Sequence, residues 1–221
     1  MLLKQFVLIT VVSLFILGCT NSRVVQPLNK HQWQIAASFG GPVLKKENQL
    51  AATPLSSVSA AYGVTQNISA FTGVHPGSYV QGIYHADAGY VQELIHPFHN
   101  RPGISYSLAL NAFRDDKQNT KIYPQFDLNA YWLGIRGRDY YYIGVANWLE
   151  LDSKKAHGQT QETRWIPAVH TGYSFVQGKY GLTLELKYLA INNNNQDLIV
   201  DYLSPSDKGV LGIYLSASRK F

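Results

Sequence analysis

The chain has 221 residues, with 19 Lys and Arg against 14 Asp and Glu and a formal net charge of +5. Charged residues make up only 15%, against roughly 25% in an ordinary soluble domain, while aromatic residues reach 13%. The basic residues are scattered, which argues against nucleic acid as a partner. The single cysteine excludes an internal disulfide, a cysteine-based metal site and a redox pair.

The first residues, Met1-Leu2-Leu3-Lys4-Gln5, carry one positive charge and lead into an apolar run from Phe6 to Leu17. This is the pattern of a secretory signal, and the run is shorter than the roughly 20 residues that a spanning helix takes. It ends in Ile16-Leu17-Gly18-Cys19, which resembles the lipobox of bacterial lipoproteins. The resemblance implies removal of residues 1–18, a covalent lipid such as palmitate on Cys19, and handling by the lipoprotein-processing machinery. Thr20, where Asp would retain such a protein at the inner membrane, implies sorting to the outer membrane. Residues 19–31 then read as a lipidated linker and 32–221 as the folded domain.

Beyond the signal, the apolar residues recur with period two, the mark of strands with one buried face. The pattern predicts strands over 32–40, 56–64, 68–75, 82–92, 103–113, 122–134, 139–151, 164–175, 180–190 and 209–221. Along 180–190, Tyr180, Leu182, Leu184, Leu186 and Tyr188 share one face, and Gly181, Thr183, Glu185 and Lys187 the other. Along 124–133, Phe126, Leu128, Ala130 and Trp132 oppose Gln125, Asp127, Asn129 and Tyr131. Pro124 and Pro167 fall within predicted strands and should sit near strand ends or bulges, since proline removes a ladder donor. Tight turns at 65–67, 135–138 and 176–179 alternate with longer polar connections at 41–55, 114–121, 152–163 and 191–208. The region 75–102 holds His75-Pro76-Gly77 and His96-Pro97-Phe98, and dropping its hairpin would leave eight strands.

The predicted fold is therefore all-β: an antiparallel up-and-down barrel of about 8–10 strands, with short turns at one end and long loops at the other. The last strand, from Gly209 to Phe221, alternates Leu211, Ile213, Leu215 and Ala217 against Gly212, Tyr214, Ser216 and Ser218. With its terminal Phe221 it resembles the carboxy-terminal β-signal of Gram-negative outer-membrane barrels, with Tyr214 inward and Arg219 a departure from the pattern. The resemblance implies recognition by the barrel-assembly machinery and a setting of outer-membrane lipid and lipopolysaccharide. Small residues on the polar face (Gly144, Ala146, Gly172, Ser174, Gly181, Gly212, Ser216) would let a narrow barrel fill without strain.

The polar face carries Asp87, Asp127, Glu150, Glu185, Lys187, His85 and His170, with Arg164 at its margin. Charges in a narrow, poorly hydrated lumen must be paired, so these residues predict an internal polar network rather than a reaction centre. None of the seven histidines forms a metal motif, there is no G-x-S-x-G elbow, and Gly172 stands two residues after His170 where outer-membrane lipid deacylases carry serine. No catalytic residue, metal or non-covalent cofactor is expected. The expected function is a structural or interaction barrel of the outer membrane, held by the lipid on Cys19. Three alternatives remain: a tethered lipocalin-like barrel with its apolar face inward, a small pore, and a lipid-modifying enzyme.

Overall fold

A computed structural model of the chain describes residues 21–46, 49–79, 82–135, 137–153, 160, 163–195 and 202–221. The signal segment and Cys19 lie outside the described residues. Eleven strands follow one another: β1 (Trp33–Lys46), β2 (Gln49–Ala52), β3 (Leu55–Gly63), β4 (Ile68–Val74), β5 (Ile83–Ile95), β6 (Gly103–Asp115), β7 (Thr120–Leu133), β8 (Tyr140–Leu149), β9 (Trp165–Gln177), β10 (Tyr180–Asn194) and β11 (Lys208–Lys220). A single helical turn, α1 (Pro76–Tyr79), lies between β4 and β5.

Each strand from β3 to β11 pairs antiparallel with the next. The sheet closes because β1 pairs on one side with β3, from Trp33↔Tyr62 to Gly40↔Leu55, and on the other with β11, from Gln34↔Lys220 to Pro42↔Gly212. The result is a ten-stranded up-and-down barrel. The far end of β1 leaves it to pair with β2, from Val43↔Ala52 to Lys46↔Gln49. The segment expected as a loop at 41–55 is therefore largely a projecting hairpin. The strands of the 75–102 region are full members of the wall, which sets aside the eight-stranded reading. The connection expected at 114–121 shrinks to four residues, because β6 and β7 run on past their predicted ends.

Both prolines sit where one ladder has not yet begun. Pro124 faces Leu110 of β6, but the pairing of β7 with β8 starts at Gln125. Pro167 faces Asn147 of β8, but the pairing of β9 with β10 starts at Val169. A missing N–H therefore leaves no gap in the wall.

The barrel is inside out relative to a soluble protein. On β10, Leu182, Leu184 and Leu186 are 49%, 51% and 46% exposed, whereas Glu185 and Lys187 on the opposite face are 2% and 1% exposed. Outward positions on the other strands are likewise apolar or aromatic: Ile35 and Phe39, Leu108 and Leu110, Phe126 and Leu128, Ile143 and Val145, Ile213 and Leu215. Inward positions are Ser69, Asp87, Ser105, Asn111, Asp127, Asn129 and His170, all buried. A lipocalin-like barrel requires the reverse, so that alternative is excluded by the register of every strand. Trp33, Tyr180 and Phe221 stand exposed at the turn end, where Arg219 lies 5.7 Å from the Tyr180 ring centroid and 4.8 Å from that of Phe221.

At the loop end the lumen is filled by apolar packing. Phe113, Tyr123, Trp148 and Ile166 cluster on one side, with Ile83 and Ala190 against them. Ala146, Ala168, Leu189 and Val210 cluster on the other, with Leu55 and Tyr202.

If the outward face meets lipid, a charge there is costly in proportion to its depth. Leu184→Arg, in the middle of the stretch of β10 that pairs with β9, should lower the unfolding free energy in lipid vesicles by about 2–4 kcal/mol. Urea titration followed by tryptophan fluorescence measures it, and unchanged stability would mean that Leu184 does not face lipid.

Candidate functional site: the lumen and its amino-terminal plug

Ten strands enclose more space than the eight that side chains alone can fill. The additional space is taken by the chain itself. Residues 21–32, with 21–31 expected as linker and Gln32 as the start of the first strand, run inside the barrel from the turn end to mid-height. At the turn end His31 N donates to Gly63 O at 2.8 Å and Gly63 N to Gln32 O at 2.9 Å. A Cβ at Gly63 would collide with the Asn29 carbonyl, so glycine is required where the segment passes over the β3–β4 turn. Deeper in, Leu28 N donates to Ser69 Oγ at 2.8 Å, and Ser105 Oγ donates to Val25 O at 2.6 Å. Val25 packs against Tyr131 and Tyr142, and Leu28 against Ala61 and Phe71. Asn21, the first described residue, accepts from Ser38 Oγ at 3.0 Å.

Arg23 is the anchor of this plug. Its Nη2 donates to Asp87 Oδ2 at 2.5 Å, its Nε to Asp87 Oδ1 at 3.3 Å, and its Nη1 to Ser57 Oγ at 2.7 Å. Nη2 also lies 2.7 Å from His75 Nε2, which accepts from it when the imidazole is neutral with its proton on Nδ1. Both members of the ion pair are buried. A Cβ at Gly73 would lie 2.8 Å from Nη2 and 3.0 Å from Asp87 Oδ2, so only glycine leaves room for the pair. A second carboxylate, Glu185, receives the Ser22 backbone N–H at 3.1 Å and Tyr142 OH at 2.7 Å.

The remaining lumen residues fall into separate groups. Asp127 accepts from Gln125 Nε2 at 2.8 Å and Ser107 Oγ at 3.3 Å. Lys187 lies near enough to Asp127 and His170 to act on both electrostatically. His170 Nε2 is 2.7 Å from Asn129 Oδ1 and must carry the proton there. Glu150 belongs to the loop end, where Tyr123 OH donates to it at 2.7 Å and Lys121 Nζ at 3.0 Å. At the turn end Glu93 accepts from Tyr131 OH and faces His96 Nδ1 at 2.9 Å. Arg164, expected at the margin of the network, is exposed.

His85 sits between His75, whose ring is stacked on it with a centroid distance of 3.5 Å, and Phe113 at 3.9 Å. Potential ligand atoms of His75, His85 and Asp87 lie within 4.8 Å of one another. The cation that meets this group is the guanidinium of Arg23. His75 was absent from the expected site, although it continues the inward series Ser69, Phe71, Gly73 of β4 with the same period of two. Beside the plug, among the described residues, a cavity of about 10 Å³ lies next to Asp87, Asp127 and Asn129, and another of about 40 Å³ between Tyr142, Thr183, Ser218 and Lys220. The smaller is about the size of a single water. His170 and Ser174 point into this closed interior, away from any lipid surface.

No family model matches the chain, and no curated protein matches it in sequence. Among solved structures it is similar to an outer membrane channel from Pseudomonas putida F1 (TM-score 0.49, 9% identity, 91% of this chain and 100% of that one). It is similar also to the attachment invasion locus protein Ail of Yersinia pestis (TM-score 0.30, 12% identity, 87% and 99%). A third is the outer membrane protein OprG of Pseudomonas aeruginosa (TM-score 0.34, 10% identity, 90% and 99%). Nothing finer than a closed antiparallel barrel is shared at these values.

Removing one partner of a buried ion pair costs about 3–5 kcal/mol when the other stays buried. Asp87→Asn should therefore release Arg23 from the lumen. In unlipidated protein refolded in detergent, trypsin should spare the Arg23–Val24 bond of the wild type. It should cut that bond in the variant, giving a new amino terminus at Val24. Equal protection in both proteins would mean that the ion pair does not hold the plug.

Proposed function

We propose that this protein is a lipid-anchored barrel of the outer membrane with a structural or interaction role, its lumen closed to solutes. The observation that carries the reading is the combination of an apolar outer wall with an interior sealed twice, by the apolar cluster at the loop end and by residues 21–32 below it. An apolar wall of this size has no stable place in water, and a closed barrel is the one sheet that leaves no backbone group unpaired in lipid. The carboxy-terminal strand, with Tyr214 inward and Phe221 outward, supports entry through the barrel-assembly machinery. A pore is disfavoured by the double seal, and a lipid-modifying enzyme by the inward orientation of His170 and Ser174.

Lipidation at Cys19 adds a geometric condition. Asn21 is held at the level of Ser38, five residues along β1 from the turn end. Two further residues extend the chain by at most about 7 Å, whereas five strand residues span about 16 Å. A lipid on Cys19 cannot reach the leaflet at the turn end while Asn21 stays in place. Anchoring therefore displaces Asn21 to Arg23 from their places in the lumen, while Val25, held by Ser105 near the turn end, and Leu28 keep theirs and the lumen stays closed.

Urea or carbonate washing of membranes, followed by SDS electrophoresis of boiled and unboiled samples, tests the barrel. Retention with a heat-dependent mobility shift is expected, and extraction without a shift would overturn the membrane reading. Mass spectrometry of the mature amino terminus tests the anchor, with an acylated Cys19 expected. Trypsin should then cut the lipidated protein after Arg23 and spare the Cys19→Ala protein exported behind an ordinary signal. Protection in both would overturn the displacement.

A further inference from the structure

We propose that His75, His85 and Asp87 form a binding site for a divalent transition-metal ion, and that Arg23 of the plug is the competitor that fills it. Two imidazoles and one carboxylate suit Zn²⁺ and its neighbours in the first transition row, and oxygen-seeking Mg²⁺ and Ca²⁺ poorly. His75 follows directly on the end of β4, and His85 and Asp87 are the third and fifth residues of β5, so two short stretches of neighbouring strands carry the whole set. Their potential ligand atoms lie within 4.8 Å of one another, and all three residues are buried. His75 Nε2 and Asp87 Oδ2 are only 2.8 Å apart, and Arg23 Nη2 is bonded to both. That position attracts a positive charge, and the chain supplies one from a segment that must leave whenever Cys19 is anchored in lipid.

A metal ion needs the same Asp87 oxygen that Arg23 uses and the lone pair of the His75 Nε2 beside it, free of any proton shared with Asp87. Metal and plug therefore exclude each other, and each weakens the other by the same factor. Withdrawal of Arg23 leaves Asp87 without its cation and opens the pocket toward the polar cavities beside the plug. His85 completes the set once its ring tilts off His75. Its present partner, Asn111 Oδ1, is held only at 3.4 Å, and Asn111 Nδ2 has a second partner in Gln125 Oε1 at 3.0 Å. The wider wall supplies Asp127, Glu185 and Lys187 facing the same lumen. Asp127 and Glu185 have their own donors in Gln125, Ser107 and Tyr142, and they stay in place when the plug moves.

The inference stands on this pocket and not on the membrane location, so folding is checked first by the heat-dependent mobility shift in detergent. Full mature chain, unlipidated, is titrated with Zn²⁺ by calorimetry and with Co²⁺ by visible absorption. Arg23→Ala should bind one Zn²⁺ about tenfold or more tightly than the wild type, within the usual range of a competitive coupling. Its Co²⁺ complex should show the visible bands of a low-symmetry site with nitrogen ligands. Adding His75→Gln and His85→Gln to Arg23→Ala should abolish both signals while the mobility shift remains. Should Arg23→Ala fail to fold, Arg23→Gln removes the charge with most of the side chain kept, and the same gain is expected of it. Folded Arg23 variants that bind no more tightly than the wild type would overturn the proposal. So would binding that survives loss of both histidines.

Discussion

Closure of the sheet is the constraint on which everything else depends. Once β1 pairs with both β3 and β11, the barrel wall has no open strand edge. The wall then satisfies its backbone internally and can turn its apolar side chains outward. The period-two alternation sends every second residue inward, so the polar half of the sequence has no surface to occupy except the lumen. The loops and turns at the two ends are the remaining polar surface. Polar groups inside must find partners there or remain hydrated, and the lumen of this barrel does the former along most of its height.

The two ends of the lumen are closed by different physics. At the loop end, Phe113, Tyr123, Trp148 and Leu189 pack as an ordinary apolar core would. Below them the wall presents Asp87, Asp127 and Glu185, with Lys187 the one ammonium at that height among the described residues. Side chains from ten strands do not reach across this zone. The amino-terminal segment crosses it instead, and its contacts answer the wall group by group: a guanidinium for Asp87, a backbone N–H for Glu185, a carbonyl for Ser105. Val25 and Leu28 settle on the tyrosines and on Phe71. The segment behaves as a ligand of the barrel that is covalently attached to it.

Much of the wall was legible in the sequence because period two is a local signal. The alternation at 124–133 and 180–190 places Asp127, Glu185 and Lys187 inward without knowledge of any partner. Those residues, with Asp87, His85 and His170, are each buried in the lumen, in the separate groups described above. Glu150 has the same periodicity but lies just past the end of β8, four residues beyond the Ala146 that faces Asp127, at the loop end with Tyr123 and Lys121. Periodicity tells which face a residue takes and says nothing of its height. The projecting β1–β2 hairpin was missed because Pro42 and the lysines at 45 and 46 read as a loop. The plug was missed for a deeper reason. Residues 21–32 have no period, and their role is set by groups scattered from Ser57 to Glu185. The one local sign was the pair of apolar patches at Val24-Val25 and Leu28 in a segment that a plain tether would leave polar.

The choice of arginine at position 23 follows from the shape of its pocket. Asp87 offers two oxygens, Ser57 lies to one side and His75 to the other. A planar fork with five donors meets all three groups at once, and a lysine ammonium on a flexible stem could not span them in fixed directions. Gly73 beneath the pair removes the Cβ that would push the guanidinium off Asp87. The fork also makes the contact reversible. Each of its hydrogen bonds goes to a group that keeps another neighbour: Ser57 has Ser38, His75 has His85, and Asp87 Oδ2 has His75. When Arg23 leaves, the wall loses a charge but not its structure. The Arg23 end of a plug held this way can leave the lumen without unfolding the barrel around it.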